Sequence, residues 1–125
     1  MIASRVRFVG LRVADPDAYE ATVAMYRDLI GLPVVLDDDR RSTRFSLADG
    51  TALHVYGLDD HDHVAFGDTA CIGLEVDDVE AARAALAAAG LAILDETERD
   101  GTSAWFHYRA ADGSVQELMG PDRGD

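Results

Sequence analysis

The chain carries the same pattern twice. Gly10-Leu11-Arg12-Val13-Ala14-Asp15 returns 63 positions later as Gly73-Leu74-Glu75-Val76-Asp77-Asp78, and Asp49-Gly50 returns at the same spacing as Asp112-Gly113. Arg44-Phe45 maps onto His107-Tyr108, and Gly57 onto Gly120. A fixed internal period constrains architecture before any single residue does. Two copies of one unit therefore fill most of the chain, and a site is expected where equivalent positions of both copies converge.

The first copy reads as strand, helix and three strands. Arg5 to Val13 carries apolar residues throughout and predicts a strand. Asp15-Pro16-Asp17 is a helix start, with a capping carboxylate and a proline where a missing N–H costs nothing. Tyr19, Val23, Tyr26, Leu29 and Ile30 recur at helical spacing as one apolar stripe, and Gly31 supplies the left-handed stop. Strands are expected over 33–36, 43–47 and 51–56, with a charged hairpin tip at 37–41 and a tight turn at Asp49-Gly50. The second copy repeats the plan: a strand over 70–76, then a helix capped by Asp77 or Asp78. That helix has Val79, Ala82, Leu86 and Ala89 as its buried stripe and ends at Gly90. Strands over 91–94, 104–109 and 114–119 complete the copy.

The predicted class is α+β: one domain over residues 1–125, built from two βαβββ modules at 5–57 and 69–120 with a polar linker at 58–68. One helix covers one face of a four-stranded sheet and leaves the other open. The paired open sheets are expected to line a cleft with alternate strand residues.

Composition narrows the partners. Twenty-four acidic against 11 basic residues give a net charge of -13, which repels nucleic acid; it either attracts a cationic small molecule or, on the preferred reading, serves only solubility. No apolar run reaches the roughly 20 residues needed to span a bilayer, and Met1-Ile2-Ala3-Ser4-Arg5, without an apolar core, is not expected to act as a secretory leader. The one cysteine, Cys71, cannot form an internal disulfide, so a cytoplasmic setting is expected.

The repeat, with Phe8-Val9-Gly10-Leu11-Arg12-Val13-Ala14-Asp15, Cys71-Ile72-Gly73-Leu74-Glu75-Val76-Asp77-Asp78 and Asp112-Gly113-Ser114-Val115-Gln116-Glu117-Leu118, resembles the vicinal-oxygen-chelate superfamily. That group contains glyoxalase I, bleomycin-resistance proteins, fosfomycin-resistance enzymes and extradiol dioxygenases. The resemblance implies metal-ligand places at Phe8, His54, Cys71 and Glu117, which the internal spacing of 63 pairs as 8 with 71 and 54 with 117. Phe8 offers no lone pair, and a Cys71 thiolate suits zinc better than iron, manganese or nickel. The metal-free reading is therefore preferred; a divalent metal, if held, falls to His54, Cys71 and Glu117.

Other residues are expected at the site. A buried Glu117 needs a partner, with His54, the matching residue of the other copy, or Arg12 available. Arg12 shares the Phe8 face by alternation, so it serves either as a ligand contact, as the resemblance implies, or as counter-ion to Glu117 or Glu75. Glu75 shares the Cys71 face, and with Arg12 it is expected to form a charge couple. Trp105, His107 and Arg109 fall on one face of their strand and Phe106 and Tyr108 on the other; one set lies under the helix and one lines the cleft, and periodicity leaves the choice open. Tyr56 joins them as a ligand contact. Asp59-Asp60-His61-Asp62-His63 reads as a solvated spacer.

The leading expectation is a homodimeric binding protein of the drug-sequestering, antibiotic-resistance kind that the resemblance includes, holding a small, cationic aromatic molecule. The alternatives are a metal-dependent lyase, isomerase or dioxygenase, and a metal-free enzyme with Glu117 or His54 as general base.

Overall fold

The computed structural model describes residues 3–124. Two compact units divide the chain: Phe8–Ala70, and the segment from Cys71 onward joined by the residues up to Arg7. The class is α+β, and each unit follows the order βαβββ.

In the first unit the elements are β1 (Arg5–Arg12, shared with the second unit through its first three residues), α1 (Pro16–Ala24), β2 (Val34–Asp38), β3 (Ser42–Ser46) and β4 (Ala52–Tyr56). The strands lie in the order β2-β3-β4-β1. β1 runs parallel to β4, placing Gly10 against His54, while β3 runs antiparallel to β4 and places Arg44 against the same histidine. Asp15 caps α1 by accepting a hydrogen bond from the Ala18 N–H at 2.9 Å, with proline at the first helical position. Tyr19, Val23, Phe45, Leu53 and Val55 form the core, with Val9, Leu11 and Val13 packed against it. All of these lie on the helix-covered face, and each fully buried apolar side chain stabilises the unit by roughly 1.5–3 kcal/mol.

The predicted helical stripe fails at its end. Residues Met25–Ile30 form a π-helix, so more residues fill each turn and the stripe rotates away from the core. Leu29 is 83% exposed and Ile30 57%. Gly31, at φ 86°, closes the segment by donating its N–H to Tyr26 O at 3.0 Å. The extra length of the first helix over the second is therefore not a longer α-helix but a π-helical extension.

The second unit contains β5 (Cys71–Glu75), α2 (Val79–Ala88), β6 (Glu98–Arg99), β7 (Ser103–Arg109) and β8 (Val115–Pro121), in the order β5-β8-β7-β6. Asp78, not Asp77, caps α2 through the Ala81 N–H at 3.0 Å. The expected strand over 91–94 is reduced to a single bridge between Ile93 and Tyr108, and the edge strand lies later, at Glu98–Arg99. Val76, Val79, Ala82, Ala104, Phe106, Tyr108 and Leu118 form the core, and Ala89 is exposed beyond the helix end. Phe106 and Tyr108 therefore lie beneath α2, and Trp105 and His107 occupy the uncovered face. Periodicity had left that choice open; it is settled by the side of β7 on which α2 packs.

The segment from 58 to 68 is exposed over most of its length but turns part of itself inward. It contains a 3-10 turn (Val64–Phe66), a buried Phe66, and an Asp60 only 3% exposed. Among the described residues no helix is long and apolar enough to cross a membrane.

Candidate functional site

Each unit carries a group of predicted site residues on its uncovered face. In the first, Phe8 is buried with its ring edge-on to His54, centroids 4.7 Å apart. Gly10 makes room for it, since a Cβ there would lie 2.6 Å from Phe8 Cζ and 2.9 Å from the Phe66 ring. His54 Nδ1 shares a hydrogen bond of 2.8 Å with the Tyr56 hydroxyl. Burial, followed by the charges of Arg44 and His63, lowers the His54 pKa to about 3, so the ring is neutral at ordinary pH.

Tyr56 stacks on His63 at 3.8 Å between centroids, and the His63 ring donates from Nδ1 to Asp60 at 3.0 Å. The other Asp60 oxygen accepts the His63 backbone N–H at 3.0 Å. Asp60 and His63 were missed as part of this group. The signal was their i, i+3 spacing, which lets an aspartate close a turn onto its own backbone. Arg12 is half-buried, and its buried Nε has no hydrogen-bond partner among the described residues.

In the second unit, β7 and β8 pair antiparallel and set His107 directly opposite Glu117. His107 Nε2 lies 3.1 Å from Glu117 Oε1, and its Nδ1 lies 2.6 Å from Asp95 Oδ2. Asp95 also accepts the His107 backbone N–H through Oδ1 at 2.8 Å, which fixes the ring's position twice. A neutral imidazole has one N–H; two carboxylate partners require two, so this ring is an imidazolium. Burial works against that charge, but hydrogen bonds and charges from Glu117 and Asp95 outweigh it and raise the pKa to about 9. The three groups sum to one negative charge. Glu117 is only 7% exposed, and Trp105 lies two residues along the same face, donating its indole N–H to Glu98 at 2.7 Å.

Within their own unit Glu117 faces His107, and Glu75 accepts a hydrogen bond from Arg5 Nε at 2.6 Å. The Glu117 pairing was available from the sequence: residues 107 and 117 stand five positions either side of Asp112, the turn that joins their strands. Asp95 had no such signal, because it acts from a segment with a single bridge to its neighbour.

The donor set does not fit a metal ion. Phe8 supplies no lone pair, and one Glu117 oxygen is taken by an imidazolium. Cys71 is fully buried, and burial, then the charge of Glu117, raises the pKa of its thiol. Among the described residues no three His, Cys, Asp or Glu side chains stand together to hold an ion.

The sequence matches the Glyoxalase/Bleomycin resistance protein/Dioxygenase superfamily over residues 5–118. A search of curated proteins returns no match. Among solved structures, a glyoxalase/bleomycin resistance protein/dioxygenase superfamily member from Vibrio splendidus 12B01 is similar, with TM-score 0.66, 19% identity and coverage of 93% of this chain and 97% of that one. The methylmalonyl-CoA epimerase from Mycobacterium tuberculosis gives TM-score 0.66 at 20% identity, covering 96% and 89%. The Mn(II)-bound glyoxalase from Novosphingobium aromaticivorans gives TM-score 0.69 at 25% identity, covering 94% of this chain but 39% of that one.

Proposed function

The chain belongs to the glyoxalase/bleomycin resistance protein/dioxygenase superfamily, and from that premise we propose that it binds a small cationic aromatic molecule without a metal. The observation that carries the reading is the Asp95–His107–Glu117 group: two carboxylates share one imidazolium, leaving a buried negative charge, with Trp105 in the neighbouring row of that face. A cation gains there from the carboxylate and from the ring face of Trp105. Sequestration of the drug-resistance type needs no more than this. A general-base role for Glu117 is less well supported, since an imidazolium already sits on one of its oxygens. His54 is a weak base, because burial and neighbouring charges hold it neutral.

A homodimer is part of the proposal. β2 is an edge strand, exposed along its whole length, and Val34, Val35 and Leu36 on it join Leu29 and Ile30 as exposed apolar residues. Such a surface is an aggregation hazard unless something covers it. A cytoplasmic setting, consistent with one unpaired buried thiol, completes the reading.

The test combines elemental analysis with thermal shift. Protein purified without chelator is expected to carry sub-stoichiometric zinc, iron, manganese and nickel, and to be stabilised by benzyltrimethylammonium. Near-stoichiometric metal that is lost in Glu117→Ala would overturn the metal-free reading and favour the metal-dependent enzyme.

A further inference from the structure

We propose that a second cavity on the same sheet face binds a carboxylate, so that the molecule taken is amphoteric, with a cationic and an anionic end. This rests on the cation-binding reading above and extends it. The cavity measures about 210 Å³ and is lined by Arg7, Glu75, Thr102, Ser103, Met119 and Pro121, with Gly120 as part of its wall. At that size it suits an end group rather than a whole ligand of drug dimensions.

Charge identifies the group. Glu75 is neutralised by Arg5 at 2.6 Å. Among the described residues no side-chain hydrogen bond or ion pair engages Arg7, so the lining presents one uncompensated positive charge. The hydroxyls of Thr102 and Ser103 add donors beside it, and a guanidinium with adjacent hydroxyls is matched by a carboxylate.

Register ties the cavity to the row above. Gly73, Glu117 and His107 stand side by side across β5, β8 and β7. Glu75, Met119 and Trp105 form the next row of that face, followed by Pro121 and Ser103. Side chains two apart on a strand share a face, so Glu117, Met119 and Pro121 point the same way. Four residues at about 3.4 Å each separate the first row from the last by roughly 14 Å. The ligand's apolar body crosses Met119 and Trp105 in the middle row, with its cation toward Glu117 and its carboxylate toward Arg7.

The test compares two probes by titration calorimetry: 4-phenylbenzylamine (the benzylamine probe), and 4′-(aminomethyl)biphenyl-4-carboxylate, which adds a carboxylate to the same aromatic amine at a reach that matches the separation of the rows. The wild type is expected to bind the second about tenfold more tightly, as one charge-assisted contact implies. Arg7→Gln should erase that preference and leave binding of the benzylamine probe unchanged, Arg7→Lys should restore part of it, and Glu117→Gln should weaken both probes. Equal affinity for the two probes in the wild type, or a preference that survives in Arg7→Gln, overturns the proposal. If the benzylamine probe fails to bind while free benzoate binds and is lost in Arg7→Gln, the anion site stands and the cation reading falls.

Discussion

Gly10 shows how closely one residue can be specified. Its missing Cβ is the space into which the Phe8 ring tip fits, with the Phe66 ring behind it. Gly10→Ala is expected to cost about 1–3 kcal/mol, because the rings must leave their rotamers to admit one methyl; chemical denaturation gives the value directly. An unchanged midpoint would mean that the Phe8 ring is not held where the structure places it. The glycine repeat at 10 and 73 was plain in the sequence, and so was the missing donor at Phe8. The role of Asp95 was not, because a residue outside regular structure has no period from which its direction can be read. The Asp60–His63 contact is hidden for the opposite reason: loops rich in aspartate are usually solvated, and here a buried Phe66 draws the segment inward.

At the scale of elements, strand and helix order followed from apolar period and turn residues, and most boundaries fell within a residue or two. Two departures have physical causes. The first helix changes pitch at Met25, which apolar spacing cannot distinguish from a continuing α-helix. The apolar run over 91–94 packs on the α2 core as partly buried Leu91 and Ile93 without forming a ladder. The π-helical end and the β2 edge together leave Leu29 and Val35 exposed, the latter by 62%. If a second copy covers them, Val35→Lys should convert the dimer to a monomer in sedimentation equilibrium, with little change in the stability of the monomer itself. A wild type that is monomeric at all accessible concentrations would remove the homodimer from the account.

The whole molecule should respond to pH from both sides, because two half-buried histidines, His54 and His107, are shifted in opposite directions. The His54 pKa falls from 6.5 to about 3 in the folded chain, so its neutral form is favoured by folding. The stability this provides is complete above pH 6.5 and is lost as pH falls toward 3. The His107 pKa rises from 6.5 to about 9, so its contribution is complete below pH 6.5 and is lost as pH rises toward 9. Each is worth on the order of a few kcal/mol, and together they place maximal stability near pH 6.5. Urea melts across the range should show His107→Gln flattening the alkaline limb. His54→Gln should flatten the limb between pH 6.5 and about 4.5, above the ordinary carboxylate range. A wild type that keeps gaining stability from pH 6.5 to 9 would contradict the imidazolium between Asp95 and Glu117.

The fold class, the duplicated plan and the family were legible because they depend on period and turn chemistry, which local sequence carries. The site was legible only in part. Glu117 and His107 could be named as candidates, but their pairing depends on strand register and the ring's charge on Asp95. The most direct measurement is a calorimetric titration of chelator-treated protein with benzyltrimethylammonium, wild type beside Glu117→Gln. Saturable binding to the metal-stripped wild type is expected, weakened at least about tenfold in the variant, as loss of a buried charged contact implies. Binding that appears only after a divalent metal is restored, or that is equal in the two proteins, would contradict it.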